Sequence, residues 1–245
     1  MGKKVDYVFQ RMEVKYLLTR EKQQELLKKI EPYMQLDEYG LHTICNIYYD
    51  TCQYDLVRRS IEKPRYKEKL RLRSYGVPTA EQEVYIEIKK KYQKVVYKRR
   101  EGVSMWEADA YLNHGIKPSG NSQILREINY FMQHYRPEAK LFLAYDRMAY
   151  FGKEDSGIRI TFDRHIRSRE YDLDLRKGDY GELLLENGEQ VMEIKVGQAM
   201  PMWLVECLSE LEIYPVSFSK YGNIYKEMKQ EIQENKGGIQ LCSQA

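Results

Sequence analysis

The sequence predicts an α+β fold in which strands with one charged face close into a barrel around a basic lumen, while helices cover the outside. Three observations carry that expectation. The first is the stretch 65–100, which reads RYKEKLRLRSYG, a turn at Val77-Pro78-Thr79, then EVYIEIKKKYQKVVYKRR. Strand side chains alternate between faces, so Lys67, Lys69, Arg71 and Arg73 point one way and Tyr66, Leu70 and Leu72 the other. In the next run Glu83, Tyr85, Glu87, Lys89 and Lys91 share a face backed by Val84, Ile86 and Ile88. The second observation is recurrence. Glu13-Val14-Lys15, Arg71-Leu72-Arg73, Glu87-Ile88-Lys89, Arg159-Ile160-Thr161-Phe162-Asp163 and Glu193-Ile194-Lys195 repeat one charge-apolar-charge pattern. The third is the set of intervening segments, which supply helices able to cover an apolar outer face. Any one such strand is an ordinary half-buried strand with its charges in water. Repeated around a closed sheet, the charged faces converge on a lumen richer in cations than in carboxylates, where a polyanion would bind.

The elements follow in order. Residues 7–18 form a first strand with Arg11, Glu13 and Lys15 on one face. Thr19 caps a helix in which Leu26, Leu27 and Ile30 recur at helical spacing until Pro32. Residues 42–50, HTICNIYYD, are β-branched and aromatic and read as a strand. A short helical or irregular piece with Tyr54, Leu56 and Val57 precedes strands at 66–75, 83–92 and 94–101. Ser104 caps a helix, GIKPSGN breaks the chain, and residues 122–135 carry the stripe Ile124, Leu125, Ile128, Phe131 and Met132. Strands at 139–151 and 158–166 form a hairpin. The charged region 167–188 holds short strands at 172–175 and 182–185. A strand at 190–196 follows, then a helix opened by Pro201 and a final helix ending near Asn235. One domain, residues 1–235, is expected, with a flexible tail over 236–245.

Composition narrows the partners. Lys and Arg number 40 against 37 Asp and Glu, a formal charge of +3, so bulk charge does not make the chain a nucleic-acid binder and any strong field comes from clustering. The four cysteines have no C-x-x-C spacing and the histidines no zinc-ligand rhythm, which favours a reduced cytoplasmic setting. No signal-type apolar segment is visible, and the longest apolar run, near 199–208, is too short to span a bilayer.

No Walker loop, G-x-G-x-x-G, G-x-S-x-G or H-E-x-x-H is present, so phosphates would be held by side-chain cations rather than by glycine-loop amides. Arg71, Arg73, Arg147 and Arg159 with Lys15, Lys89, Lys98 and Lys220 form the expected cradle, because guanidinium matches phosphate oxygens bidentately and ammonium acts as a movable point charge. The ordered series Glu13-Val14-Lys15-Tyr16, Tyr48-Tyr49-Asp50, Arg71-Leu72-Arg73, Glu87-Ile88-Lys89, Lys98, Arg147, Arg159-Ile160-Thr161, Glu193-Ile194-Lys195 and Ser219-Lys220-Tyr221 resembles the VTC domain, the polyphosphate polymerase module of the triphosphate tunnel (CYTH-like) superfamily. The resemblance covers residues 7–230.

It implies a closed antiparallel β-barrel tunnel, the triphosphate tunnel fold, in which the terminal phosphoryl group of ATP passes to a growing inorganic polyphosphate chain with Mn²⁺ or Mg²⁺ assisting. By the same resemblance Lys15, Arg71, Arg73, Lys89, Lys98, Arg147, Arg159 and Lys220 bind phosphate. Ser219 helps and Glu193 holds the metal, with Arg71, Arg73, Lys89 and Lys220 nearest the chemistry. Phosphoryl transfer asks chiefly for positioning and charge neutralisation. The superfamily's hydrolases carry E-x-E-x-K, whereas the first position here is Arg11, which favours a polymerase over a triphosphatase. Eukaryotic members add a phosphate-sensing domain and a membrane segment not seen in this sequence, so a separate membrane-protein partner at the inner face of the membrane, or binding without synthesis, is also implied. An inorganic or nucleoside triphosphatase and a non-catalytic polyphosphate- or nucleotide-binding module are the rival readings; a lumen of this kind excludes duplex nucleic acid.

Plainer roles compete at single residues. Arg71 and Arg73 are expected to pair with Glu83 or Glu87, Asp163 to pair with Arg159, and Glu13 and Glu87 to orient cations. Lys90 faces away from Lys89 and Lys91 and is expected at the surface. Tyr48, Tyr145 and Tyr150 suit sheet packing better than base stacking, and the four histidines are expected to be structural or exposed.

Overall fold

The computed structural model describes residues 12–93, 95–197 and 199–241. Arg11, expected on the inner face of the first strand, and the last four residues of the expected tail lie outside the described residues.

A ten-stranded sheet organises the chain in the order β1-β10-β8-β7-β3-β4-β5-β6. These strands are β1 Met12–Leu18, β3 His42–Asp50, β4 Tyr66–Tyr75, β5 Glu83–Tyr92, β6 Val95–Ser104, β7 Glu138–Gly152, β8 Arg159–Arg169 and β10 Gln190–Val196. Short β2 (Met34–Leu36) and β9 (Glu182–Leu183) add to β7 and β8. All pairings are antiparallel. β2 escapes sequence reading because three residues carry no period. Residues 172–175 form no strand; Asp174 caps a 3-10 turn at Leu175–Lys177 instead.

The expected closure is not made by hydrogen bonding: among the described residues no ladder joins β1 to β6. The chain itself occupies the free edge of β1. The Val216 amide donates to the Lys15 carbonyl at 2.8 Å and Tyr16 bridges to Pro215, so that edge has little left to offer another strand. The sheet nevertheless curls far enough that Glu13 on β1 lies 3.9 Å from Lys89 on β5. The concave face is the channel side of the sheet, with β1 and β5 facing each other across it.

Helices α1 (Arg20–Ile30) and α5 (Met202–Glu210) are placed outside by the apolar face of β1, β8 and β10, where Leu26, Ile30, Leu204 and Leu208 meet Ile160, Phe162 and Ile194. Helices α3 (Met105–His114) and α4 (Gln123–Tyr135) cover β3, β4 and β5 through Ala108, Tyr111, Ile128 and Phe131 against Leu70, Leu72 and Ile86. Thr19 and Ser104 cap α1 and α3 as expected, and Ser122 caps α4. Lys90 is not simply at the surface: on the covered face it spans Glu68 and Glu127, each at 3.6 Å.

The last helix departs from the plan. α6 runs Lys220–Leu241, past the expected end near Asn235, and its first turns pack with the concave side: Tyr221, Ile224 and Tyr225 join Ile44, Tyr48, Leu143 and Tyr145. With α2 (Asp55–Ile61), which contributes Val57, it fills the β3-β7-β8 side of the channel with an apolar core. Asp50 secures this arrangement, accepting from the Leu56 and Val57 amides and from the Tyr221 hydroxyl at 3.0 Å. The cations of β4, β5 and β6 line the concave face beside that core.

Candidate functional site

The unfilled part of the channel is built by alternation. On β4 every second residue from Lys67 to Arg73 faces inward, and antiparallel register sets Arg71 opposite Glu87 and Lys69 opposite Lys89, which is in turn opposite Lys98. Arg71 donates from Nε to Glu87 Oε2 at 2.7 Å and from Nη1 to the Tyr48 hydroxyl at 3.3 Å. Arg73 donates to Asn46 Oδ1 at 3.0 Å and to the Tyr145 hydroxyl at 3.2 Å, with Glu87 at 3.7 Å. Lys98 closes the group, 2.9 Å from Glu87 Oε1. Burial pushes the Glu87 carboxyl upward, but Arg71, Arg73 and Lys98 outweigh it and hold the group down at about 2. Tyr48 and Tyr145 are also pushed up by burial and pulled further down by Arg71, Arg73 and other cations, ending below the ordinary phenol value.

A second cluster lies on β7, β8 and α6. Arg147 grips Asp163 with Nε on Oδ1 at 2.6 Å and Nη2 on Oδ2 at 2.8 Å, and Lys220 donates to Oδ2 at 2.6 Å. Asp163 is completely buried; burial alone would raise its pKa, yet Lys220 and Arg147 hold it well below the usual carboxylate range. A third group joins β1 and β10: Glu193 Oε1 meets Lys195 at 2.6 Å and Oε2 lies 3.8 Å from Lys15, whose own Nζ donates to the Phe218 carbonyl at 3.1 Å. Burial raises the Glu193 carboxyl, but Lys195, Lys15 and Arg147 bring it to about 2. The clusters sense one another: Lys15 is lowered by burial and then by Lys220, and Lys220 also acts on Tyr48.

The structure therefore brings together Lys15, Arg71, Arg73, Lys89, Lys98, Arg147, Glu193 and Lys220. It does not bring in Arg159, which is 54 % exposed at the rim and 3.6 Å from Asp37. The expected Arg159–Asp163 pair does not form, because Arg147 on the neighbouring strand and Lys220 on α6 occupy both Asp163 oxygens. The Ser219 hydroxyl accepts the Gly222 amide at 3.2 Å, a helix-start contact.

Sequence reasoning placed Lys69 on the correct face without counting it in the site. Among the described residues it has no hydrogen bond or ion pair. Burial, followed by Lys67, Lys15, Lys89 and Arg71, lowers it to about 7. Its signal was already in the sequence, as the residue two before Arg71. Lys67 and Lys91, opposite each other in register, continue the row and meet no carboxylate among the described residues.

A divalent metal fits this channel in only one way. No cluster of three or more His, Cys, Asp or Glu ligands exists among the described residues. Glu87 and Asp163 are engaged by close cations on both oxygens, while Glu193 keeps Oε2 with its nearest cation at 3.8 Å. Across the ladder from Glu193, the buried Thr161 hydroxyl has no hydrogen-bond partner. One carboxylate beside an unsatisfied hydroxyl suits a hard cation that arrives already bound to phosphate oxygens.

A curled antiparallel sheet with a cation-lined concave face is the architecture of the triphosphate tunnel, or CYTH-like, superfamily. Within it the chain belongs to the VTC domain family, whose match spans residues 10–229. Solved structures agree on the fold. A putative adenylate cyclase from Bacillus halodurans superposes with a TM-score of 0.53 at 16% identity, covering 87% of this chain and 96% of that one. A putative adenylyl cyclase from Hippeastrum, described as having a dominant triphosphatase activity, gives 0.50 at 15% identity, covering 89% and 96%. No curated protein matches the sequence. Membership implies a domain that handles triphosphates.

Proposed function

We propose that the chain is a polyphosphate polymerase: it binds ATP by its triphosphate in the channel and passes the terminal phosphoryl group to the end of an inorganic polyphosphate chain. The observation that carries this reading is the lysine row. Arg71, Arg73, Arg147 and Lys220 already have carboxylate or phenol partners, but Lys69, Lys67 and Lys91 prolong the cationic wall beyond them with no anion to meet. Cations clustered without partners repel one another, and a bound polyanion relieves that cost. Two residues of strand span roughly 7 Å, so the row is longer than one triphosphate needs.

In this reading phosphate oxygens join Glu87 and Asp163 as partners of the arginines, Tyr48 and Tyr145 donate hydroxyls, and the acceptor chain lies along the lysines. An ionised terminal oxygen of polyphosphate attacks the γ-phosphorus, the bond to the β–γ bridging oxygen breaks, and ADP leaves with that electron pair. Arg71, Arg73 and Lys98 stabilise the charge spread over the transferred group. Mn²⁺ or Mg²⁺, held by Glu193 and phosphate oxygens, supplies further neutralisation when bound.

The carboxylates favour transfer over hydrolysis. Water must lose a proton as it attacks, and a carboxylate held near 2, as Glu87 and Glu193 are, is a poor base for that purpose. The ionised end of a polyphosphate chain attacks with no proton to lose. No helix among the described residues is long and apolar enough to cross a membrane. Incubation with γ-labelled ATP and Mn²⁺, with products resolved on a gel, tests the proposal. A ladder of labelled polymer is expected; labelled orthophosphate alone would make the chain a triphosphatase.

A further inference from the structure

One rim of the channel is aromatic, and nothing in the phosphate chemistry calls for that. Two residues beyond Arg73 on the inward face of β4 stands Tyr75, and two before Glu87 on β5 stands Tyr85. The rings form a connected series: Tyr39 to His42 at 6.2 Å and 72°, His42 to Tyr75 at 6.0 Å and 53°, Tyr75 to Tyr85 at 6.0 Å and 77°. The Arg100 guanidinium lies 4.6 Å over the Tyr85 ring. None of these pairs is stacked face to face, and Tyr75 and Tyr39 remain 46 % and 71 % exposed. Ring faces are thus left open to a planar ligand.

We infer that this collar is a base-binding subsite, at which the purine of a nucleoside triphosphate stacks on Tyr75 beside Tyr85 and Arg100. The inference rests on the triphosphate reading of the channel and extends it to the part of the substrate outside. Tyr75 and Arg73 are separated by about 7 Å of strand, a gap that a ribose between phosphate and base can bridge. Aromatic faces and a guanidinium plane hold bases by stacking, with little dependence on which base is present. The collar would make the channel prefer a nucleotide to a bare phosphate chain at this end, while the lysine end accepts the chain without a base.

The test compares calorimetric titrations of the full chain with ATP and with methyl triphosphate, which carries the triphosphate as an ester but no base. ATP is expected to bind about tenfold more tightly. Tyr75→Leu should erase that preference and leave methyl triphosphate binding unchanged, and Tyr75→Phe should keep it. Saturation transfer to the adenine H2 and H8 protons in the unaltered protein supplies a readout that does not depend on a variant folding. Equal affinities for the two ligands, loss of both in Tyr75→Leu, or no transfer to adenine would overturn the subsite while the phosphate cradle stands. If neither ligand binds, the triphosphate reading fails and the subsite with it.

Discussion

Arg147 and Asp163 form a two-pronged ion pair, Nε to Oδ1 at 2.6 Å and Nη2 to Oδ2 at 2.8 Å, with the carboxylate fully buried and Lys220 on its remaining side. Lys220 on the same carboxylate ties α6 to the sheet. Asp163→Asn would remove the negative charge and leave two cations without it. It should destabilise the protein by about 3–5 kcal/mol, read from denaturant unfolding. Tripolyphosphate should recover part of that loss, because it substitutes for the missing charge.

Acid sensitivity follows from the same chemistry at Glu87 and Glu193. Both have folded-state values near 2 against an ordinary 4.5, so the folded state binds their protons less readily than the unfolded state does. The stability they contribute is complete above about pH 4.5 and is lost as pH falls toward 2. Urea midpoints between pH 5 and pH 2.5 should fall more steeply for the unaltered protein than for Glu87→Gln. Parallel curves would contradict the assignment.

Lys69 carries the opposite sign. Its folded value, about 7, lies below the ordinary 10.5, so charging it opposes folding: the cost is full below pH 7 and fades as pH rises toward 10.5. Lys69→Met should therefore raise the melting temperature of the free protein at pH 6 while weakening tripolyphosphate binding several-fold. Anion binding also favours the charged form. At pH 8 tripolyphosphate binding should be accompanied by proton uptake at Lys69, visible as a binding enthalpy that varies with the ionisation heat of the buffer, and Lys69→Met should reduce that variation.

The inward and outward faces of the strands were legible in the sequence, since a period of two assigns Lys69, Arg71 and Arg73 to one side whatever the strand pairs with. Which residues meet across the channel was not. Asp163 shares a face with Arg159, but the ladder beside it comes from β7 and the third partner from α6, distant in sequence. The apolar stripe at Tyr221, Ile224 and Tyr225 marks a buried helix face, but helical periodicity does not say on which side of a sheet the helix lies. That no ladder closes the sheet among the described residues has a similar reason. A strand's period does not disclose that residues 215 and 216 will take its free edge.

In the proposed reaction, Glu193 is the residue whose loss should separate turnover from capture. With Lys195 on one oxygen, Lys15 3.8 Å from the other and the unpartnered Thr161 hydroxyl across the ladder, Glu193→Gln should reduce ATP turnover at saturating Mn²⁺ by tenfold or more, on the order of one lost charge contact in a transition state. Tripolyphosphate affinity without metal should stay the same or rise, because a carboxylate has been removed from a cationic channel. Loss of metal-free binding would assign Glu193 to the cradle instead.

Whether the inward cations of β4 hold a phosphate chain is decided by a calorimetric titration of tripolyphosphate into the unaltered protein, Arg73→Met and Lys69→Met. Binding that weakens as salt rises and falls in both variants is predicted. No binding, or equal binding by all three proteins, would contradict it.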